Sequence, residues 1–88
     1  MRELDPLLHS QLRLAIVSLL LSVETADFVY LKEKTNATAG NLSVQLEKLE
    51  TAGYIQVKKE FVGKKTRTSC QLTDTGRKAL GDYIDALR

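Results

Sequence analysis

Between Thr38 and Tyr54 the apolar positions Leu42, Leu46 and Leu49 recur at i, i+4 and i+7, with Ala39 three residues ahead of the first. That is one stripe of an α-helix and a poor match to the two-residue alternation of a strand, so the stretch predicts a helix with one buried side. Thr38 belongs to the residue types whose hydroxyl caps free amides, and Gly53 to the type that leaves a helix in the left-handed conformation. Stepping about 100° per residue from the leucines puts Gly40, Asn41, Val44, Glu47 and Lys48 on the opposite side, flanked by Ser43 and Gln45. Near the helix start that outer face is small or hydrogen-bonding.

The same reading carries along the rest of the chain. Asp5-Pro6 predicts a helix start, because Asp caps and Pro tolerates the first helical position; the helix is expected to break near Ser10 and run to about Val23. Its apolar residues form two stripes, Leu12, Ile16, Leu19, Leu20 and Val23 on one side and Leu7, Leu14, Val17 and Leu21 on the other. A second stripe needs a cover, either another copy of the chain or the last helix of the same chain. Glu24 to Asp27 is a polar connector with room for a very short strand, and Asp27 caps a helix from Phe28 to about Lys34 anchored by Phe28 and Leu31. Asn36 is suited to end that helix and Thr38 to begin the next, which makes the pair a helix-turn-helix. After Gly53 the period drops to two: Ile55 and Val57 alternate with Gln56 and Lys58, and Cys70 and Leu72 with Ser69 and Gln71 on the far side of Gly63, which predicts a hairpin. Thr73-Asp74 starts a last helix whose stripe is Leu80, Tyr83, Ile84 and Leu87. The expected fold is mainly α (α+β), a winged helix-turn-helix with a two-stranded β-hairpin wing and a C-terminal helix, in one domain over residues 1–88.

Charge sharpens this picture. The formal net charge of the 88 residues is only +2, but Lys58 to Arg67 contains Lys58, Lys59, Lys64, Lys65 and Arg67 against the single acid Glu60. A local basic patch on an otherwise slightly acidic chain points to a directed polyanion contact; a charged hairpin also discourages edge-to-edge aggregation, and the helix-turn-helix just before it favours nucleic acid. Cys70 is the only cysteine, so no intrachain disulfide forms, and it falls on the inward phase of its strand as a small core residue. With His9 the only histidine, expected at the surface or as a cap, no metal site and no cofactor is expected. There is no nucleophile with a base, no paired carboxylates in an apolar setting and no glycine-rich phosphate loop, so no enzyme and no catalytic residue is expected. The apolar run Leu14 to Leu21 is too short to span a bilayer, and no secretory signal is visible, which predicts a cytoplasmic protein without a membrane partner.

The runs LDPLLHSQLRLAIVSLLL and GNLSVQLEKLETAGYIQVKKEFVGKKTRTSCQLTDTGRKAL together resemble the small winged-helix transcriptional regulators of bacteria and archaea related to the MarR and ArsR groups. The most specific parts are Gly40 to Tyr54, Phe61 to Arg67, and Leu72-Thr73 followed by Gly76-Arg77. The resemblance implies a homodimer that binds double-stranded DNA sequence-specifically, with a recognition helix over about 38–52 in the major groove and a wing over 58–67 on the backbone or minor groove. The DNA-binding residues would then be Thr38, Gly40, Asn41, Ser43, Val44, Gln45, Lys48, Lys58, Lys64, Lys65 and Arg67. The dimer interface would be Leu7, Leu14, Val17, Leu21, Leu80, Tyr83, Ile84 and Leu87. Relatives often carry a basic residue where this chain has Val44, which offers a base edge apolar contact only. Affinity is therefore expected mostly from the wing and discrimination from the helix. A winged helix serving as a protein-interaction module with only non-specific DNA affinity is the alternative; a small apolar effector, which MarR relatives can bind, is not indicated by the residues.

Overall fold

In a computed structural model that describes residues 3–88, the elements follow the order α1 (Gln11–Leu21), β1 (Ala26–Asp27), α2 (Phe28–Thr35), α3 (Ala39–Thr51), β2 (Ile55–Val62), β3 (Lys65–Leu72) and α4 (Asp74–Leu87). The break expected near Ser10 is where α1 begins, and the segment from Asp5 ahead of it forms a turn and not a helix for a local reason. Asp5 closes a turn, its carboxylate accepting from the Leu7 amide at 2.9 Å and its carbonyl from the Leu8 and His9 amides at 3.1 and 2.9 Å. Ser10, extended at φ −148°, then caps α1. At the other end Ser22, not Val23, takes the C-cap.

The three helix starts that follow are made by residues of one chemical type. Asp27, Thr38 and Thr73 each stand in extended backbone and accept a hydrogen bond from the amide three residues on, Tyr30, Asn41 and Gly76 respectively. The turn between α2 and α3 is set by Asn36, left-handed at φ 57°, a conformation open to few residues besides Gly and Asn. At the end of α3, Gly53 at φ 81° lets its own amide reach the Glu50 carbonyl at 2.9 Å and the Tyr54 amide reach the Leu49 carbonyl at 3.0 Å. That is the paired closure of a Schellman motif.

The sheet has three strands in the order β1-β3-β2, all antiparallel, the hairpin wing being joined by the very short strand for which the connector has room. The added strand is two residues long, Ala26 opposite Cys70 and Asp27 opposite Ser69, so the polar connector before α2 joins the wing base. In the hairpin Ile55 pairs with Leu72, Val57 with Cys70 and Val62 with Lys65. Gly63 takes φ 67° at the first of its two turn residues, as a type II′ turn requires.

The core lies where α1, α2 and α3 meet the inner face of the sheet base and α4 closes over α1. Leu8, Ile16, Val17, Leu31, Leu42 and Leu49 are fully covered, and Ile55, Cys70, Leu72, Leu80 and Tyr83 complete the layer. Burial of each such leucine contributes roughly 1.5–3 kcal/mol. Val17 and Ile16 are adjacent on α1 and both are buried, so α1 is surrounded on more than one side by its own chain, with α4 as one of the covers. Gly76, in the first turn of α4, rests on the Tyr54 carbonyl so closely that a Cβ there would stand 2.1 Å from the oxygen. Thr73 reinforces this corner, its amide donating to the Tyr54 carbonyl at 3.0 Å and its hydroxyl to the Gly53 carbonyl at 2.6 Å.

Candidate nucleic-acid interface

The leucine stripe decides how α3 is presented. With Leu42, Leu46 and Leu49 buried, the opposite side of the helix is turned to solvent: Thr38, Gly40, Asn41, Ser43, Val44, Glu47 and Lys48 are all exposed, Val44 by 49%. Gln45 on the flank is half-buried. The first turn carries no acid, so the positive end of the helix dipole is not neutralised by the helix itself. Gly40 faces open space, with no atom within 4 Å of where a Cβ would stand, so nothing in the fold requires a glycine there.

The flank of α3 is tied to α1. Arg13 Nε donates to the Leu7 carbonyl at 2.6 Å and its Nη1 to Gln45 Oε1 at 2.6 Å, while Gln45 Nε2 donates to Asn41 Oδ1 at 2.9 Å. The sequence alone gives Arg13 no role in the site. It lies 32 residues from Gln45, and only the packing of α1 on α3 brings the two together.

In the wing the register sorts the basic residues by face. Directly opposed residues share a side, so Lys58 with Ser69, Glu60 with Arg67, and Val62 with Lys65 lie on the face away from the core. Lys59 with Thr68 and Phe61 with Thr66 continue the core-facing side beyond Val57 and Cys70. Lys59 therefore lines a cleft with Phe28, Ser43, Glu47 and Glu50, beside α3, a position not given to it by the sequence reading although the parity of Ile55 and Val57 implies it. Every residue from Lys58 to Arg67 is exposed, and Phe61 stands out as the most exposed large apolar side chain, at 80%. Lys64 and Lys65 are at the tip. Arg67 is partly engaged, its Nη2 lying 3.5 Å from Asp27 Oδ2, while the other oxygen of Asp27 caps α2.

The residues expected at a dimer interface divide. Val17, Leu80 and Tyr83 are buried within one chain, Leu7 and Leu14 are partly buried against its core, and Leu21, Ile84 and Leu87 are exposed by 48%, 39% and 58%. His9 is exposed and its Nδ1 lies 3.0 Å from the Tyr83 hydroxyl.

Among the described residues no group of three or more His, Cys, Asp or Glu is placed to hold a metal ion, and no helix is long and apolar enough to cross a membrane. Two groups titrate unusually. Burial, with the Asp5 carboxylate accepting its hydroxyl proton, pushes Tyr54 up to about 12, and burial with Glu50 nearby pushes the Cys70 thiol up to about 11. Cys70 is thus a protonated core thiol at neutral pH, without the lowered pKa of a reactive one.

Residues 12–88 match the winged helix DNA-binding domain family. An uncharacterized protein of Methanocaldococcus jannaschii, MJ0432, is 41% identical over 76 residues, covering 86% of this chain and 83% of that protein. Among solved structures, a transcriptional regulator homologue from Pyrococcus horikoshii superposes with a TM-score of 0.84 at 27% identity, over 92% of this chain and 80% of that one. Bacillus subtilis PadR in complex with operator DNA shares the fold, with a TM-score of 0.75 at 23% identity over 85% of this chain and 47% of PadR.

Proposed function

The chain belongs to the winged helix DNA-binding domain family, and from that premise we propose that it is a transcriptional regulator that binds double-stranded DNA sequence-specifically as a homodimer. The observation that carries the reading is the outer face of α3: small and hydrogen-bonding at its start, free of acid in its first turn, and set beside a wing whose residues from Lys58 to Arg67 are all exposed. A major groove about 12 Å wide admits such a helix. Thr38, Gly40, Asn41, Ser43, Val44, Gln45 and Lys48 would face the groove, and Lys58, Lys64, Lys65 and Arg67, joined by Lys59, would meet phosphates. Gly40 supports close approach, since a helical glycine costs roughly 0.5–1 kcal/mol relative to alanine and the fold itself does not use its missing side chain.

Two copies would join through the exposed Leu21, Ile84 and Leu87, with Leu14 at the margin, whereas Leu7 lines a groove with Val44, Glu47 and Lys48 of α3. Val17, covered by its own chain, is removed from any interface that the second stripe of α1 would make, with a second copy or with a different protein. The PadR complex supports the operator reading by fold alone.

Selection of bound duplexes from a randomised pool tests the proposal. The expected result is a palindromic consensus with half-sites about one helical turn, roughly 10 base pairs, apart. A pool that returns no enriched sequence removes the specific-binding reading and leaves the protein-interaction module.

A further inference from the structure

We propose that Arg13 is a positioning residue that fixes the hydrogen-bonding polarity of α3, so that Asn41 presents amide protons outward and reads a guanine edge. This rests on the reading of α3 as the recognition helix. The argument starts from what each group is able to donate. A guanidinium has five N–H donors and no acceptor, so the Gln45 atom 2.6 Å from Arg13 Nη1 has to be its oxygen. The other end of the same amide is then NH2, and it donates to Asn41 at 2.9 Å, so the Asn41 atom it meets is in turn an oxygen. That oxygen is turned toward Gln45, one turn further along the helix, and the amide nitrogen of Asn41, with both its protons, is left for whatever approaches the exposed face. The backbone amide of Asn41 is already taken by the Thr38 hydroxyl at 3.1 Å.

The chain is anchored at its far end as well, because Arg13 Nε holds the Leu7 carbonyl at 2.6 Å. Arg13 and Gln45 are both half-buried, and the bond between them is charge-assisted, about twice as strong as a neutral one. Turning the Gln45 amide over would set NH2 against guanidinium and lose that bond, so the polarity runs from α1 outward in one direction. In the major groove guanine shows two acceptors, N7 and O6, whereas adenine shows an acceptor and a donor. A side-chain amide whose oxygen is engaged and whose nitrogen is free fits the first pattern.

The test compares the base preferences of the wild type, Gln45→Glu and Asn41→Asp by selection from randomised duplexes, with helical content and melting recorded for each. Glu at 45 still accepts from Arg13 but offers Asn41 a second oxygen in place of a donor, so Asn41 has to turn its NH2 inward and its oxygen outward. The expected result is guanine enriched about tenfold or more at one half-site position in the wild type, replaced in Gln45→Glu by a base with an exocyclic amino group, cytosine or adenine. Asn41→Asp keeps the Gln45 bond, places a carboxylate near the positive end of the helix where it is tolerated, and should likewise exchange guanine for cytosine. It decides the matter if Gln45→Glu does not fold. Arg13→Ala should flatten the preference at that one position, whereas a residue with only a structural role would lower melting and weaken all sequences alike. A wild-type consensus that is unchanged in the folded variants overturns the polarity proposal and leaves DNA recognition standing; a wild type that enriches no sequence overturns the recognition reading itself, and this inference with it.

Discussion

At Tyr54 a single hydroxyl ties two distant parts of the chain, donating to the Asp5 carboxylate that also holds the Leu7 amide. Tyr54→Phe is expected to cost about 1 kcal/mol, in the range of one partly exposed hydrogen bond, measured by urea unfolding. The contribution has a defined pH dependence. The folded group titrates at about 12 against an ordinary 10.0, so the folded state keeps its proton where the unfolded state has lost one. Stability from this group is complete below pH 10 and is lost between 10 and 12. The gap in urea midpoint between wild type and Tyr54→Phe should therefore narrow across that window and stay constant below it. Cys70, moved from 9.0 to about 11 with the same sign, starts a separate decline near pH 9 that Tyr54→Phe leaves in place. Gly40→Ala should separate fold from function: a gain of up to about 1 kcal/mol in stability, because the new methyl meets open space, together with weaker DNA binding. Binding left unchanged would mean that nothing approaches this turn closely.

For whole elements, the wing makes the cleanest forecast. Lys64→Ala and Lys65→Ala should each weaken binding to all sequences and lower the log-log salt slope by roughly one unit per lost phosphate contact; an unchanged slope sinks the wing assignment. Arg67→Ala is expected to give a smaller change in slope, because Asp27 already claims part of that guanidinium. How far the elements could be read in advance follows the range of the interactions that make them. α3 was legible from end to end, since the leucine period, the Thr38 cap and the Gly53 closure all lie within its own sequence. The break at Ser10 is legible, but the segment before it is a single turn, because Asp5-Pro6 is as good a cap for a single turn as for a helix. The pairing of β1 was only hinted at, since Ala26 and Asp27 find Cys70 and Ser69 more than forty residues away. Arg13 is not legible for the same reason, its partner Gln45 being supplied by tertiary packing, whereas the side on which Lys59 lies follows from strand parity alone.

On the scale of the molecule, the long dimension of 51 Å against 24 and 21 Å reflects a body with an arm. The exposed residues proposed to meet a second copy are Leu21, Ile84 and Leu87, and charging them tests the assembly without entering the core. Ile84→Asp with Leu87→Asp should shift the protein to monomer in sedimentation, change the stability of the isolated chain by no more than about 0.5 kcal/mol per exposed site, and weaken operator binding. A wild type that is already monomeric refutes the homodimer.

Gly76 bears on how such an assembly would behave mechanically. The first turn of α4 sits on the Tyr54 carbonyl with no gap to take up movement, and Thr73 bolts the same corner to Gly53 and Tyr54. A tilt imposed on α4 would have no slack to take it up at that contact and would be passed to the root of β2. In the proposed dimer, the angle at which two copies meet and the angle at which the arm projects would in this way be geared to each other through one position that has no room for a side chain.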